Sequence, residues 1–254
     1  MNTANYPDLR DSAVFITGGG SGIGAAFVRA FCRAGARVAF VSLDASKALS
    51  LCADVEAETG VAPLFQRCDI NDVEHLQQCI ADAAEKIGDI RVLINNAARD
   101  TRHTLQGMDV TGWDESLNTN LRPHFFTAQK VSPGMRALGG GSIINVGSNS
   151  AMLGHAGYPA YVTAKAGIVG LTKALARELG ADNIRVNALV PGWVMTERQK
   201  QLWVTEEALQ ECLEQQCLKD TIAEQDIADA ALFLASGAAR MITAQALVVD
   251  GGRA

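Results

Sequence analysis

Tyr161 and Lys165 stand four residues apart in a segment of helical period, so their side chains share one face of a helix. A phenol with a pKa of about 10 is a poor base at neutral pH, but an adjacent ammonium favours phenolate and pulls the value down. Such a pair can take a proton from a hydroxyl that is being oxidised. Tyr and Lys at this spacing are common in ordinary helices, so the pair gains meaning only from its surroundings. Ser148 supplies part of that meaning. It ends a short apolar run of strand character, where open α/β sheets place ligands, and its hydroxyl can hydrogen-bond a reacting oxygen. His155 lies close enough in sequence to raise a Ser-His-Asp hydrolase as a rival. That rival lacks a G-x-S-x-G elbow, Gly147-Ser148-Asn149 opens no helix directly, and the Tyr/Lys pair would have no purpose in it.

A second chemical feature lies near the amino terminus. Thr17-Gly18-Gly19-Gly20-Ser21-Gly22-Ile23-Gly24 follows the first apolar run and opens the first helical segment. Glycines there let backbone approach a pyrophosphate at a helix end that already favours anions. The spacing is G-x-x-x-G-x-G rather than G-x-G-x-x-G, and a tight turn needing positive φ is the plain alternative.

These features, with Asn95-Asn96-Ala97-Ala98, Asn120 and Pro191-Gly192 in the same order, resemble the short-chain dehydrogenase/reductase family over nearly the whole chain. Ala98 stands where the family usually has glycine, so that turn tolerates a methyl group. The resemblance implies a single Rossmann-type domain, 1–254, that binds a nicotinamide dinucleotide. It implies that Ser148 orients the substrate oxygen, Tyr161 exchanges the proton, Lys165 also holds the nicotinamide ribose, and Asn120 positions a water that relays protons from Lys165. It assigns Gly18, Ser21, Gly22, Ile23 and Gly24 to the pyrophosphate and Asp69 and Ile70 to the adenine. Asn95, Asn96, Ala97, Pro191 and Gly192 complete that cofactor set, and Val194 and Thr196 hold the carboxamide. A homotetramer is implied as well, packed through the helices that carry Asn120 and Tyr161.

The acid that grips the ribose of NAD usually ends the second strand. Asp44 fits by distance from the glycines, yet the family pattern sets Ser42 at that place. No Arg or Lys stands at Leu43, Gly20 or Ser21 to receive a 2′-phosphate, and Asp44 would repel one. NAD is favoured, with NADP or dual use left open. Substrate contacts are expected from Arg99, His103, Asn149, His155 and Trp193 beside Ser148 and Tyr161. These segments are polar, and within the family NNAARDTRH, SIINVGSNSAMLG and VPGWVMTERQ look most like bacterial aldose 1-dehydrogenases, which oxidise a sugar at C1 to a lactone. A polyol dehydrogenase, a 3-oxoacyl thioester reductase and a non-catalytic dinucleotide-binding module are the alternatives, and a solvated Arg/His loop is the bland reading of residues 99–103.

The elements that must position these groups alternate along the chain. Apolar runs at 13–17, 37–43, 63–68, 92–95, 142–146, 185–189 and 246–249 read as strands covered on both faces. Segments 22–34, 46–58, 73–86, 113–138, 159–179 and 224–235 have helical period. The fold class expected is α/β, a doubly wound parallel sheet of seven strands. Residues 196–221, rich in Gln and Glu, interrupt the alternation and read as a helical substrate lid or a surface helix pair.

Composition closes other routes. The 254 residues carry a net charge of −6 with no basic stripe, which argues against nucleic acid. No apolar run reaches the roughly 18 residues of a membrane span, and MNTANYPDLR lacks the pattern of a signal peptide, so a cytoplasmic protein is expected. Six cysteines without a C-x-x-C pair read as reduced core residues, and neither they nor the four histidines have metal-ligand spacing, so no metal is expected.

Overall fold

A computed structural model describes residues 5–254; residues 1–4, part of the stretch read above for a targeting signal, lie outside the described residues. Seven strands form one parallel sheet: β1 (Ala13–Thr17), β2 (Arg37–Ser42), β3 (Leu64–Arg67), β4 (Val92–Asn95), β5 (Gly141–Val146), β6 (Ile184–Pro191) and β7 (Ala246–Val249). Their order is β3-β2-β1-β4-β5-β6-β7. The chain therefore winds outward through β3, returns to β4 beside β1, and winds the other way. The reversal opens a crevice beyond the carboxyl ends of β1 and β4, where a ligand meets loops from both halves.

Both faces of the sheet are covered, which is why its central strands are apolar at nearly every residue. α1 (Gly22–Arg33), α2 (Ala45–Thr59) and α10 (Glu224–Ala235) join one core layer, around Phe27, Phe31, Phe40, Ile227 and Leu234. α3 (Val73–Ile87), α5 (Arg122–Ala137) and α7 (Pro159–Leu179) join the other, around Phe15, Leu76, Leu93, Met135 and Val186. Asp44 and Asp72 cap α2 and α3 by accepting backbone N–H bonds from Lys47 and His75. No helix is long and apolar enough to cross a membrane, among the described residues.

Three departures from the expected elements bear on the site. The helical segment 113–138 is two helices, α4 (Val110–Asn120) and α5, separated at Leu121, whose φ of −132° leaves the helical region. Pro123 explains the break, because its ring would clash with the carbonyl one turn earlier in a continuous helix. The break leaves Asn120 at a helix end. A short helix, α6 (Ser150–Leu153), begins just beyond Asn149, so a helix does follow Ser148 closely. Residues 196–221 contain α8 (Glu197–Leu202) and α9 (Glu206–Gln215), begun by the hydroxyl caps Thr196 and Thr205.

Candidate active site

The glycine turn is a place where backbone comes close because side chains are missing. A Cβ on Gly24 would sit 2.0 Å from the Gly18 carbonyl oxygen, so the first turn of α1 packs directly onto the loop after β1. Gly18 adopts φ +67°, and a Cβ there would meet the Ala97 backbone at 2.8 Å. Thr17 ties the two loops together, since its hydroxyl accepts the N–H groups of Asn96 and Ala97. The Asn96 amide donates to the carbonyls of Thr17 and Gly18. Thr196 approaches from the other side, 3.3 Å from where a Gly22 Cβ would stand. The result is an open helix end, walled by Asn96 and Thr196, that fits the pyrophosphate of a dinucleotide.

Ser42 faces this cradle: its hydroxyl oxygen lies 2.6 Å from the place of a Gly20 Cβ. Asp44 instead lies on the surface, accepting the Lys47 N–H and lying 3.8 Å from its ammonium. Asp69 closes its own turn by accepting the Asn71 N–H, and Ile70 is buried beside it. Asn95 faces away from the cleft. Its amide donates to Asn145, and its carbonyl accepts from Thr127 in a buried network between β4 and β5.

At the carboxyl end of β5 the side chains of Ser148, Tyr161 and Lys165 come together in a cleft of about 600 Å³. Lys165 is 1% exposed and donates to the Val146 carbonyl at 2.8 Å. Burial lowers its pKa from 10.5 to about 7. Tyr161 behaves otherwise than its neighbour alone would dictate. Burial and then the Asp100 carboxylate raise its pKa above the ordinary phenol value, against a smaller lowering by hydrogen bonding with Ser148. The ammonium sits 5.7 Å from the ring centroid and, half neutral near pH 7, does not offset the loss of solvent. The expected lowering of the phenol pKa is therefore absent from the unliganded chain. Asn120, 1% exposed, donates to the Arg99 and Ser116 carbonyls and accepts the Arg99 N–H, which pins the start of the 99–103 loop against α4.

The cleft brings together some of the substrate residues read from the sequence and leaves others out. Ser148, Tyr161, His155 and Trp193 line it. His155 Nδ1 lies 3.3 Å from the Tyr158 hydroxyl, and Ser148 pairs with Ser150 at 2.7 Å, so no Ser-His pair forms. Asn149 borders the cleft but its amide is spent on the Asp250 carboxylate, which also accepts N–H bonds from Gly252, Arg253 and Ala254. Arg99 is exposed and does not line the cleft; nor does His103, whose Nε2 accepts the Ala160 N–H at the start of α7.

In their place stand Asp100 and Arg102 from the same polar loop, Gln199 from α8 and Trp203 just past its end, Glu211 from α9, and Arg253. Asp100 accepts hydrogen bonds from Arg198 and Gln199, while Gln199 accepts from the Trp193 indole. The Arg102 guanidinium lies 3.8 Å above the Tyr158 ring and 4.9 Å from that of Trp203. Residues 99–103 are thus partly a binding loop, through positions 100 and 102, and partly a structural one. Asp100 and Arg102 belong to the polar segment after Asn95 from which substrate contacts are expected, and Glu211 lies within the expected lid, 196–221; Arg253 carries no local signal.

The cysteines are free, but Cys217 is exposed and Cys52 half-buried, so not all six are core residues. Three potential metal ligands, Cys68, His75 and Cys79, do come together, on β3's far end and α3. Spacing in sequence hid them because Cys68 lies outside the helix that carries the other two.

A family model described as enoyl-(acyl carrier protein) reductase matches residues 18–254. A probable galactose dehydrogenase from Rhizobium meliloti (strain 1021) is 52% identical over 252 residues, covering 99% of this chain and 98% of that protein. The D-xylose 1-dehydrogenase of Caulobacter vibrioides (strain NA1000 / CB15N) is 45% identical over 254 residues, 99% of each chain. Among solved structures, a blue fluorescent protein from a metagenomic library, in complex with NADPH, superposes with a TM-score of 0.89 at 33% identity, covering 97% of this chain and 99% of that one.

Proposed function

Because the chain belongs to the short-chain dehydrogenase/reductase family, we propose that it oxidises an aldose at C1 to the lactone, with a nicotinamide dinucleotide as acceptor. The observation that carries the sugar reading is the lining of the cleft around Tyr161. Asp100, Arg102, Gln199 and Glu211 offer paired donors and acceptors, and Trp193, Tyr158 and Trp203 offer flat apolar faces. A polyhydroxylated ring needs both, whereas an acyl chain needs an apolar channel.

Ser148 donates to the C1 oxygen and holds it against Tyr161. Tyr161 takes the hydroxyl proton as the C1 hydrogen leaves with its electron pair. The nicotinamide, when bound, accepts that hydride. Lys165 binds the ribose and returns the Tyr161 proton toward solvent, and Asn120 positions the water that carries it on from Lys165. The cradle of Gly18, Ser21, Gly22, Ile23 and Gly24 would hold the pyrophosphate of the cofactor, Ser42 its ribose, and Asp69 and Ile70 its adenine. NAD is the dinucleotide favoured. No basic side chain stands at Leu43 or on the glycine turn, although the exposed Arg67, which donates to the Leu43 carbonyl, is a cation at that end. Residues 196–221 act as the lid, since α8, the turn after it and α9 supply Gln199, Trp203 and Glu211 to the cleft. The assembly is a homo-oligomer, a tetramer, with Trp113 on α4 and Phe125 on α5 among the apolar side chains it covers.

The test is initial-rate formation of reduced cofactor with aldoses, polyols and an acyl thioester, each with NAD and NADP. Turnover confined to one or a few aldoses, faster with NAD, is expected. Activity on polyols or thioesters alone would remove the sugar reading and keep the Tyr161 chemistry.

A further inference from the structure

Cys68, His75 and Cys79 form a cluster that the reaction above leaves unused. Cys68 follows β3 directly, and its Sγ packs toward α3, on which His75 and Cys79 lie one turn apart on a single face. One ligand atom from each, two sulfurs and an imidazole nitrogen, fall within 4.8 Å of one another. Both cysteines are 2% exposed while the imidazole reaches solvent, so the cluster has a dry interior and an open side.

A tetrahedral zinc ion bound at about 2.3 Å by sulfur and about 2.0 Å by nitrogen holds its ligand atoms somewhat under 4 Å apart. The side chains need to move by no more than about 1 Å to converge on a common centre. Asp72 lies beside both thiols, and its Oδ1 already fixes the backbone N–H of His75, which orients the first turn of α3 toward the cluster. Thiolate and imidazole together select a borderline-soft cation over Mg²⁺ or Ca²⁺.

We propose that Cys68, His75 and Cys79 bind one Zn²⁺ per chain, with Asp72 or water as the fourth ligand, as a structural site apart from the reacting centre. Binding displaces the two thiol protons and staples the end of β3 to α3. The stapled segment, 68–72, contains Asp69 and Ile70, so the ion also stiffens the adenine end of the cleft; that consequence, unlike the site itself, rests on the cofactor reading above.

The experiment uses Co²⁺ as a spectroscopic stand-in for zinc, added to the chelator-treated, fully reduced chain. One Co²⁺ per chain is expected, with a thiolate-to-cobalt charge-transfer band and the strong visible absorption of a tetrahedral ion, both abolished by an equivalent of Zn²⁺. Cys79→Ser should remove the charge-transfer intensity from this site. Because Cys79 is buried, His75→Ala at the exposed ligand is the companion variant that leaves the core intact, and it should weaken Co²⁺ and Zn²⁺ binding by at least ~10-fold. Absence of a charge-transfer band in the parent chain overturns the proposal. So does a band left unchanged by Cys79→Ser, or a Co²⁺ affinity left unchanged by His75→Ala, either of which would assign the ion to other side chains, or a Cys68–Cys79 disulfide found by mass spectrometry as the resting state of the freshly purified protein.

Discussion

Replacing Lys165 with methionine tests whether a buried ammonium sets part of the pH dependence of folding. Burial lowers the Lys165 pKa from 10.5 to about 7, so between these values the folded chain holds one proton fewer than the unfolded chain. Stability must then rise with pH across that window, by about 1.4 kcal/mol per unit where the folded lysine is neutral and the unfolded one charged. At pH 7 the folded group is half protonated, so the gain from pH 7 to pH 9 is ~2 kcal/mol. In Lys165→Met this increment disappears. The substitution also strips the Val146 carbonyl of its partner, a cost of about 1–3 kcal/mol that does not depend on pH. The slope is therefore the readout, not the intercept. Other groups contribute to both proteins alike; His124 is neutral throughout this range, and the Cys32 and Cys68 thiols, pushed up to about 12 by burial, stay protonated in the folded chain across it. Urea unfolding of the cofactor-free chain at pH 7, 8 and 9 gives the two slopes. If parent and variant gain stability equally, Lys165 is not neutral in the folded chain and the account of its burial fails.

Three further substitutions probe the rest of the site. Tyr161→Phe should lower kcat by at least ~100-fold while dinucleotide binding, followed by fluorescence titration, stays within a factor of a few; near-normal turnover would remove Tyr161 as the proton acceptor. Ser42→Asp should tighten NAD and weaken NADP, because position 42 faces the glycine cradle, and unchanged affinities for both would place the ribose elsewhere. His124 is buried with neither ring nitrogen partnered, and burial, then the charge of Lys165, lowers its pKa to about 3. The unfolded chain therefore binds the extra proton between pH 6.5 and 3, and stability falls with pH through that window. His124→Leu should flatten this acid limb, measured as Tm from pH 6.5 to 4.5, and an unaltered limb would contradict the assignment.

The parts of this molecule that the sequence made legible are those in which one local rule decides. Strand-length apolar runs could only be strands of a sheet covered on both faces, and the glycines could only serve a turn against a helix end, as the Gly24 contact with Gly18 bears out. Tyr161 and Lys165 share a face because helix geometry requires it. Where two local rules compete, the reading slipped. Pro123 overrode the helical period of residues 113–138, and Asn149 looked available to a ligand until the Asp250 carboxylate, from the far end of the chain, claimed its amide. The cleft wall from Arg253, and the Cys68–His75–Cys79 cluster, arise from crossings of the chain that no spacing records.

Burial moves the pKa values of Lys165 and Tyr161 in opposite directions, and both shifts disfavour charge. Lys165 drifts toward the neutral amine and Tyr161 toward the neutral phenol, so at neutral pH the phenol carries no charge and the lysine only part of one. Under the proposed reaction the neutral phenol has a use. A phenol held neutral is not a base that reacts with whatever hydroxyl enters, and the hydrogen bond from Ser148 alone does not overcome the desolvation. Phenolate at Tyr161 requires a positive charge brought close to the ring, and in a hydride-transfer reaction the oxidised nicotinamide brings one. Base strength is thereby tied to occupancy of the cofactor cradle: the substrate oxygen is deprotonated only when an acceptor for its hydride is in place. The same argument gives Lys165 a second dependence on the cradle, since ribose hydroxyls that accept from its amine favour the protonated form and restore the ammonium that burial had suppressed.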